Sequence, residues 1–261
     1  MSKIQYGVIP AAGRGTRMGY LSHILPKCLF PIYDKPFIHA NVEKMVDLGV
    51  KTIYIIVNYQ KDKIKEYFEL IENQIDAELK FIEQKKLLGI ANAIMLTKEH
   101  INEPFMVMLA DDCTIAESLQ NLLSTFHEKR AIALEGVVKE ENKEIIKATC
   151  CVKLNKNKQI TEIIEKPKVP CSNIRGCGIY FFQNSIYDYI QRTPASRVRN
   201  EIEITDVIKL VATEKRAFGE FIKGSNMNIN SCTDLWNAST LVWNLKKQKS
   251  NLYGNNTKNR C

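Results

Sequence analysis

A glycine-rich turn directly after a short apolar segment, close to the start of the chain, restricts the fold more than any other sequence feature. The apolar segment begins at Ile4, and the turn AAGRGTR spans residues 11–17. Glycine lets backbone N–H groups approach an anion, and Arg14, Arg17 and, further on, Lys27 add fixed positive charge. The pattern therefore predicts a buried strand that leads into a phosphate-binding turn.

Two familiar phosphate-binding patterns do not fit this turn. The dinucleotide-binding fingerprint G-x-G-x-x-G requires a third glycine at the position of Met18. The P-loop requires Gly-Lys-Ser/Thr at a fixed spacing, and no such tripeptide follows. Both assignments are therefore rejected.

Helix and strand patterns alternate after the turn. Apolar spacing predicts helices over Phe37–Leu48 and Asp62–Ile71. Residues rich in β-branched and aromatic side chains predict strands over Lys51–Val57 and Glu78–Glu83. This order predicts a three-layer, Rossmann-like α/β fold, in which a mostly parallel, mixed sheet carries helices on both faces and binds ligands where its strands end.

Further strands and caps are predicted in the rest of the chain. We expect Asp112 to cap a helix over Glu117–Phe126. We likewise expect Thr205 and Asp206 to cap the helix Val207–Val211. The additional strand patterns occupy residues 104–112, 131–138, 148–154 and 159–164.

Composition and charge exclude several classes of protein. The chain has 261 residues, of which 45% are hydrophobic and 25% charged, as expected for one globular domain, which we place at residues 1–245. No apolar run approaches the ~18 residues of a membrane span, and the N-terminus lacks signal-peptide character, so we expect a cytoplasmic protein without a membrane partner. The eight cysteines form no C-x-x-C pair, which favours reduced thiols over a zinc site.

The net charge of +8 does not indicate a nucleic-acid partner. Five basic residues lie within residues 246–261, where no acid occurs, so residues 1–245 carry only +3. The segment 246–261 is polar and has no periodicity, and we expect a basic, disordered tail.

The turn and later segments together resemble one enzyme family. The run G-x-G-T-R-M, followed by Pro26-Lys27, is similar to the signature of the sugar-nucleotide pyrophosphorylases. Six later segments agree in family order, and the resemblance covers about residues 4–240, closest to the short glucose-1-phosphate thymidylyl- and uridylyltransferases. It implies a nucleotide-binding half over about residues 1–115 and a sugar-phosphate-binding half over about residues 116–245.

The resemblance also implies roles for individual residues. Lysine and arginine side chains would bind phosphate groups, while oxygen ligands would hold Mg²⁺. By this match the catalytic residues are Arg17, Lys27 and Asp111; the nucleotide-binding residues are Ala12, Gly13, Gly15, Thr16, Gln84 and Gly89; the sugar-phosphate-binding residues are Glu165, Lys166, Gly178 and Arg199; and the metal ligands are Asp111 and Asn228.

Four positions depart from the family pattern. Ala110 stands where the L-x-G-D element has glycine, and Cys177 replaces a small alanine. Cys150 stands where the matching strand often has a glycine that faces the sugar. Asn228 occupies a position that is usually aspartate, so we expect Mg²⁺ to bind there more weakly.

The implied reaction joins dTTP or UTP to a sugar 1-phosphate, with glucose 1-phosphate as the first candidate, and releases pyrophosphate. An in-line attack by the sugar phosphate needs no protein nucleophile. A cytidylyltransferase acting on another phosphorylated small molecule, such as phosphocholine, and a catalytically silent nucleotide-sugar-binding relative both remain alternatives, and a homo-oligomer stays open. A glycosyltransferase is disfavoured because Asp111-Asp112-Cys113 is not a D-x-D motif.

Overall fold

The computed structural model describes residues 3–116, 118–196 and 200–257, with side chains through residue 248. The first part of the chain contains β1 (Tyr6–Pro10), α1 (Leu21–Ile24), β2 (Pro31–Ile32), β3 (Lys35–Pro36), α2 (Phe37–Asp47), β4 (Thr52–Val57), α3 (Lys61–Leu70), β5 (Glu78–Glu83), α4 (Ile90–Met95) and β6 (Phe105–Met108). The second part contains β7 (Asp112–Ala116), α5 (Gln120–Glu128), β8 (Ala133–Lys139), α6 (Lys143–Ala148), β9 (Cys150–Leu154), β10 (Ile160–Glu165), β11 (Ile174–Phe182), α7 (Ile186–Arg192), α8 (Ile204–Thr213), β12 (Ala217–Phe221), β13 (Gly224–Asn228) and α9 (Cys232–Thr257).

One mixed sheet forms the centre of the fold. Within the described ranges it has nine strands, and its first half consists of β5, β4, β1 and β6, all parallel. Strand β11 joins antiparallel to β6 and leads into β8, β9 and β10, while β12 lies parallel to β8. The mostly parallel, mixed α/β sheet predicted from the sequence is confirmed.

Apolar side chains pack on both faces of this sheet. Val8 and Ile9 are adjacent in β1 and fully buried, but they belong to different cores because successive strand residues point to opposite faces. The core of Ile9 includes Phe68 of α3, whereas the core of Val8 includes Ile94 of α4 and Val207 of α8. Helices therefore cover both faces, as a three-layer fold requires.

The elements with strong local patterns lie close to their predicted bounds. Strand β5 has the predicted bounds, and α2, β4 and α3 differ from theirs by single residues. Helix α6 was not predicted; it is six residues long and begins where the side chain of Asn142 accepts a hydrogen bond from the Glu144 N–H.

The predicted cap at Asp112 is wrong. Asp112 is the first residue of β7, which pairs antiparallel with β13, and Asp112 lies opposite Asn228 in that ribbon. Helix α5 begins only at Gln120. The pairing joins segments more than 100 residues apart in sequence, so no local pattern indicated it.

The predicted cap at Thr205 and Asp206 is also wrong. Helix α8 begins at Ile204, and the backbone oxygen of Glu203 accepts hydrogen bonds from the N–H groups of Asp206 and Val207. Thr205 and Asp206 therefore lie within the first turn. The Thr205 side chain is buried, and its hydroxyl has no hydrogen-bond partner among the residues that the structure describes.

The polar segment that starts at residue 246 begins as part of a helix, not as the disordered tail that the sequence predicted. Helix α9 runs from Cys232 to Thr257, so it extends past residue 246, where the tail was expected to start. Lys246 forms an ion pair with Asp34, and its ammonium lies 5.0 Å from the centre of the Tyr33 ring. Extending an existing helix costs less free energy than starting one, which explains why the polar residues continue α9. Among the described helices, none is long and apolar enough to cross a membrane.

Candidate active site

Two adjoining cavities open where the central strands end. The larger has a volume of about 470 Å³ and is lined by all six residues predicted to bind the nucleotide. The smaller, of about 140 Å³, is lined by Gly178 and Asn228. Arg17, Asp111, Glu165 and Lys166 line both cavities. Among the predicted site residues, Arg199 alone lies outside the described part of the chain.

The glycine turn brings Lys27 close to its own backbone. Gly15 has φ +63° and precedes a short 3-10 turn over Thr16–Met18. A Cβ atom on Gly15 would lie 2.7 Å from Cβ of Lys27, which is too close for any other residue type. Met18 is buried and anchors the far end of the turn. The turn therefore holds Lys27 under the larger cavity.

The ammonium of Lys27 joins two oxygen-bearing side chains. It donates hydrogen bonds to Oδ2 of Asp111 at 3.1 Å and to Oδ1 of Asn230 at 3.2 Å. The Lys27 side chain is only 11% exposed, whereas the Asp111 side chain is 37% exposed and faces the cavities. These three side chains form the charged centre of the site.

The sequence resemblance selected Asn228, and the structure adds a second asparagine, Asn230, bonded to Lys27. The amide of Asn228 donates to Oδ1 of Asp112 at 3.2 Å, and its oxygen accepts a hydrogen bond from the amide of Asn230. Both asparagines line the smaller cavity. A signal for Asn230 was present in the sequence: Ser231 and Asp234 have the spacing of a helix cap, and both cap α9 here. That cap places Asn230 in the loop between β13 and α9, where ligand-binding residues collect.

The oxygen atoms of Asp111 and Asn230 fit a Mg²⁺ ion. Both are hard ligands, and both converge on one cationic group, the Lys27 ammonium. Among the described residues, no three His, Cys, Asp or Glu side chains lie close enough together to hold a metal ion. An ion here would therefore depend on ligands from a bound phosphate, as Mg²⁺ commonly does.

Gln84 has a fixed orientation at the end of β5. Its amide nitrogen donates to the backbone oxygen of Gly89 at 3.2 Å and to Oδ1 of Asn92 at 2.9 Å. Because a backbone oxygen can only accept, the contact with Gly89 determines which end of the amide is nitrogen. Both amide hydrogens are thus used within the protein, and the group that Gln84 can still offer a ligand is its oxygen.

Gly89 belongs to a loop that is attached to a second segment. Its φ is +95°, and a Cβ atom there would lie 2.8 Å from the backbone oxygen of Ile202. The Ile202 N–H donates to the oxygen of Leu88 at 3.0 Å. The nucleotide-side loop and the segment before α8 are therefore connected through backbone contacts.

Glu165 and Lys166 follow each other where β10 ends. Lys166 has φ +43°, and its N–H donates to the oxygen of Thr149 at 2.7 Å, which turns the chain out of the strand. The Lys166 ammonium lies 3.3 Å from Oε1 of Glu165. A carboxylate and an ammonium therefore stand side by side at the junction of the two cavities.

Gly178 makes room for a buried carboxyl group. Its φ is +63°, and a Cβ atom there would lie 2.1 Å from Oδ2 of Asp112. Burial first, and then the charge of Asp111, raise the pKa of Asp112 well above its usual range. The protonated, neutral form of Asp112 is therefore favoured in the folded chain.

The sequence pattern of the nucleotidyl transferase family matches residues 6–244, which is most of the chain. This protein belongs to the nucleotidyl transferase family. The resemblance to sugar-nucleotide pyrophosphorylases found in the sequence is confirmed.

The relatives within this nucleotidyl transferase family include bifunctional GlmU proteins and glucose-1-phosphate uridylyltransferases. A bifunctional protein GlmU from Methanocaldococcus jannaschii is 32% identical over 238 residues, a match covering 91% of this chain and 52% of that protein. The UTP–glucose-1-phosphate uridylyltransferase AglF from Haloferax volcanii is 31% identical over 209 residues, covering 80% of this chain and 84% of that protein. The chain thus spans about half the length of the GlmU relatives.

Solved structures of nucleotidyl transferases share the fold. A UDP-glucose pyrophosphorylase complexed with UDP-glucose has a TM-score of 0.82 and 26% identity, covering 92% of this chain and 99% of that one. A putative glucose-1-phosphate thymidylyltransferase from Bacillus anthracis has a TM-score of 0.81 at 23% identity, covering 91% and 94%, and shows likeness of fold alone.

Proposed function

We propose that this nucleotidyl transferase joins UTP or dTTP to a sugar 1-phosphate, with glucose 1-phosphate as the first candidate, and releases pyrophosphate. The observation that carries the proposal is the Lys27 ammonium, bonded at once to Asp111 and Asn230 beneath the glycine turn. This cluster of three side chains supplies a fixed cation and two metal ligands where the two cavities meet. Dependence on Mg²⁺ and a cytoplasmic location are part of the proposal.

The orientation of Gln84 supports uracil or thymine as the base. Gln84 retains only its amide oxygen for a ligand, because its nitrogen already donates to Gly89 and Asn92. Uracil and thymine carry an N–H donor at ring position 3, whereas cytosine has a bare acceptor nitrogen there. This favours UTP or dTTP over CTP, and with it a sugar nucleotidyltransferase over a cytidylyltransferase.

The side chains present suffice for an in-line displacement. An oxygen of the sugar 1-phosphate attacks the α-phosphorus of the nucleotide; a new P–O bond forms as the bond to the bridging oxygen of the β-phosphate breaks, and pyrophosphate leaves with that electron pair. Lys27 and Arg17 stabilise negative charge on the triphosphate and on the leaving pyrophosphate.

Other residues hold the second substrate and the metal. Lys166 holds the phosphate of the sugar, and we assign Arg199 the same task. Asp111 and Asn230, rather than Asp111 and Asn228, would hold Mg²⁺. When bound, the ion supplies positive charge that screens the triphosphate from the incoming phosphate.

A pyrophosphate-release screen tests the proposal. The full chain would be assayed with four nucleoside triphosphates against several sugar 1-phosphates and against phosphocholine, each with and without Mg²⁺. We expect turnover with UTP or dTTP and a sugar 1-phosphate. Turnover confined to CTP with phosphocholine would identify a cytidylyltransferase, and absence of turnover with every pair would favour a silent relative.

A further inference from the structure

A buried carboxyl group lies behind one wall of the smaller cavity. Cys150, Gly176 and Tyr180 form that wall, and Glu135 of β8 lies against them with no exposed surface. None of the roles assigned above uses Glu135. Burying a carboxyl group costs free energy unless it is paired, so the groups around it must accommodate it.

The carboxyl group of Glu135 is bonded to the cavity wall. The thiol of Cys150 donates to Oε1 of Glu135 at 3.6 Å, while Oε2 has no hydrogen-bond partner among the described residues. A Cβ atom on Gly176 would lie 2.0 Å from Oε1 and 2.6 Å from the Cys150 sulfur. Glycine at position 176 is therefore what allows the acid and the thiol to meet.

Glu135 is neutral near pH 7. Burial, above all, and then the charge of Glu165 raise its pKa to about 8. A neutral carboxyl group accepts the Cys150 hydrogen without placing a full negative charge under the cavity. The contact is therefore compatible with a phosphorylated ligand nearby.

The S–H hydrogen of Cys150 is already used inside the protein, because it is donated to Glu135. The sulfur that remains is only a weak acceptor. Cys150 therefore presents a nearly apolar surface to the cavity.

Thr205 offers the opposite property in the same cavity. Its side chain lines the cavity and is buried, and among the described residues no group bonds its hydroxyl. A sugar hydroxyl placed against Thr205 gains a partner, whereas one placed against Cys150 loses its bonds to water and gains only a weak bond to sulfur. The two residues together give the cavity one side that pairs with a hydroxyl and another that pairs with it only weakly.

We propose that Cys150, fixed in place by Glu135, makes this cavity select a deoxy-sugar 1-phosphate that carries no hydroxyl on the ring carbon facing Cys150. Cys150 is then a specificity-determining residue and Glu135 a positioning residue. The inference rests on the proposed nucleotidyl transfer and replaces glucose 1-phosphate with a deoxy-sugar 1-phosphate as the preferred sugar substrate.

Glucose 1-phosphate and its 2-, 3-, 4- and 6-deoxy analogues test the proposal. With the full chain and the preferred nucleotide, we expect kcat/KM for one deoxy analogue to equal or exceed that for glucose 1-phosphate, by ~10-fold if the hydroxyl is fully rejected. In Cys150→Gly, glucose 1-phosphate should gain ~10-fold and the preference should disappear. Cys177→Ala, which changes a buried cysteine that does not line the cavity, should keep the wild-type ranking.

Two changes at Glu135 separate positioning from general structure. Glu135→Gln keeps an oxygen acceptor for the thiol and should keep the ranking of substrates, whereas Glu135→Leu should lose it without losing nucleotide binding. If Glu135→Leu does not fold, Cys150→Gly and Glu135→Gln decide the matter.

The inference is overturned if wild type uses glucose 1-phosphate better than every deoxy analogue, or if Cys150→Gly leaves the ranking unchanged. Calorimetric titration with each sugar 1-phosphate distinguishes this failure from failure of the proposed function. Binding without deoxy preference removes only the role of Cys150, whereas absence of binding and turnover for all of them removes both proposals.

Discussion

At the scale of single residues, the site depends on which of two asparagines shares the Lys27 ammonium with Asp111. Asn230 shares the Lys27 ammonium with Asp111, whereas Asn228 donates its amide to the neutral acid Asp112. An amide oxygen can bind Mg²⁺ but brings no charge, so the protein contributes one carboxylate to the ion. The triphosphate must supply the remaining negative charge.

We predict that Asn230→Asp lowers the half-saturating Mg²⁺ concentration by about tenfold, equal to ~1.4 kcal/mol, because it adds a charged ligand. Mg²⁺ titrations of turnover would measure the change. Asn228→Asp is the matched control: it adds the same charge two residues away, beside Asp112, and should leave the half-saturating concentration unchanged. A shift in Asn228→Asp but not in Asn230→Asp would return the metal to Asn228.

At the scale of elements, a turn and a two-stranded ribbon position the side chains of the charged centre. The glycine turn after β1 presents Lys27, and the β7–β13 ribbon is flanked by the residues that bind it, Asp111 before β7 and Asn230 after β13. The Ile229 N–H donates to the backbone oxygen of Asp111 at 2.8 Å, which joins the residue before β7 to the residue after β13. The geometry of the site thus depends on backbone contacts within a turn and a ribbon.

Gly15 in the turn and Gly19 two residues after the turn provide a test of this dependence. Gly15 and Gly19 both have positive φ, +63° and +58°, but an added Cβ meets Lys27 only at Gly15 and nothing within 4 Å at Gly19. Either change to alanine should destabilise the fold, because Gly15 has left-handed backbone and Gly19 has φ +58° with ψ −137°, a conformation essentially restricted to glycine. Only Gly15→Ala should also displace Lys27 and lower kcat, by ~10²-fold, the scale for one lost charge donor.

Urea unfolding and initial rates would measure these two effects. A loss of kcat in Gly15→Ala alone, with both variants folded in the absence of urea, supports the arrangement. Equal kcat values in the two variants would show that the turn does not position Lys27 for turnover.

At the scale of the whole molecule, the antiparallel half of the sheet contains an acid that is costly to ionise. Glu135 has no exposed surface, and burial raises its pKa to about 8, compared with an ordinary value of 4.5. The folded chain therefore binds a proton that the unfolded chain has released between these two pH values. Stability must then fall as pH rises from about 4.5 to about 8, with no further loss from this group above that range.

We predict that Glu135→Gln reduces the loss of stability between pH 5 and pH 8, because glutamine does not ionise. Urea midpoints at both pH values would be compared for wild type, Glu135→Gln and Glu128→Gln, the last an exposed position on α5. Glu128→Gln should retain the wild-type slope. The same slope in Glu135→Gln would mean that Glu135 does not hold a proton in the folded chain.

The sequence by itself determined the features that short stretches of chain control. The strand before the glycine turn, the alternation through Glu78–Glu83 and the positions of Lys27 and Asp111 near strand ends all follow from side-chain periodicity and backbone sterics. The resemblance to a known family, carried by short motifs, indicated residues that line the larger cavity. Neighbours in sequence are sufficient to set such features.

Tertiary structure alone decided the contacts between distant segments. The pairing of β7 with β13 placed Asp112 in a strand rather than at a helix cap, and it brought Asn230 to the Lys27 ammonium that also binds Asp111. Glu135 lies beneath Cys150 because β8 and β9 both flank β11, where Gly176 leaves space for them. Register and packing across a sheet depend on every strand that joins it, so one segment's sequence does not contain them.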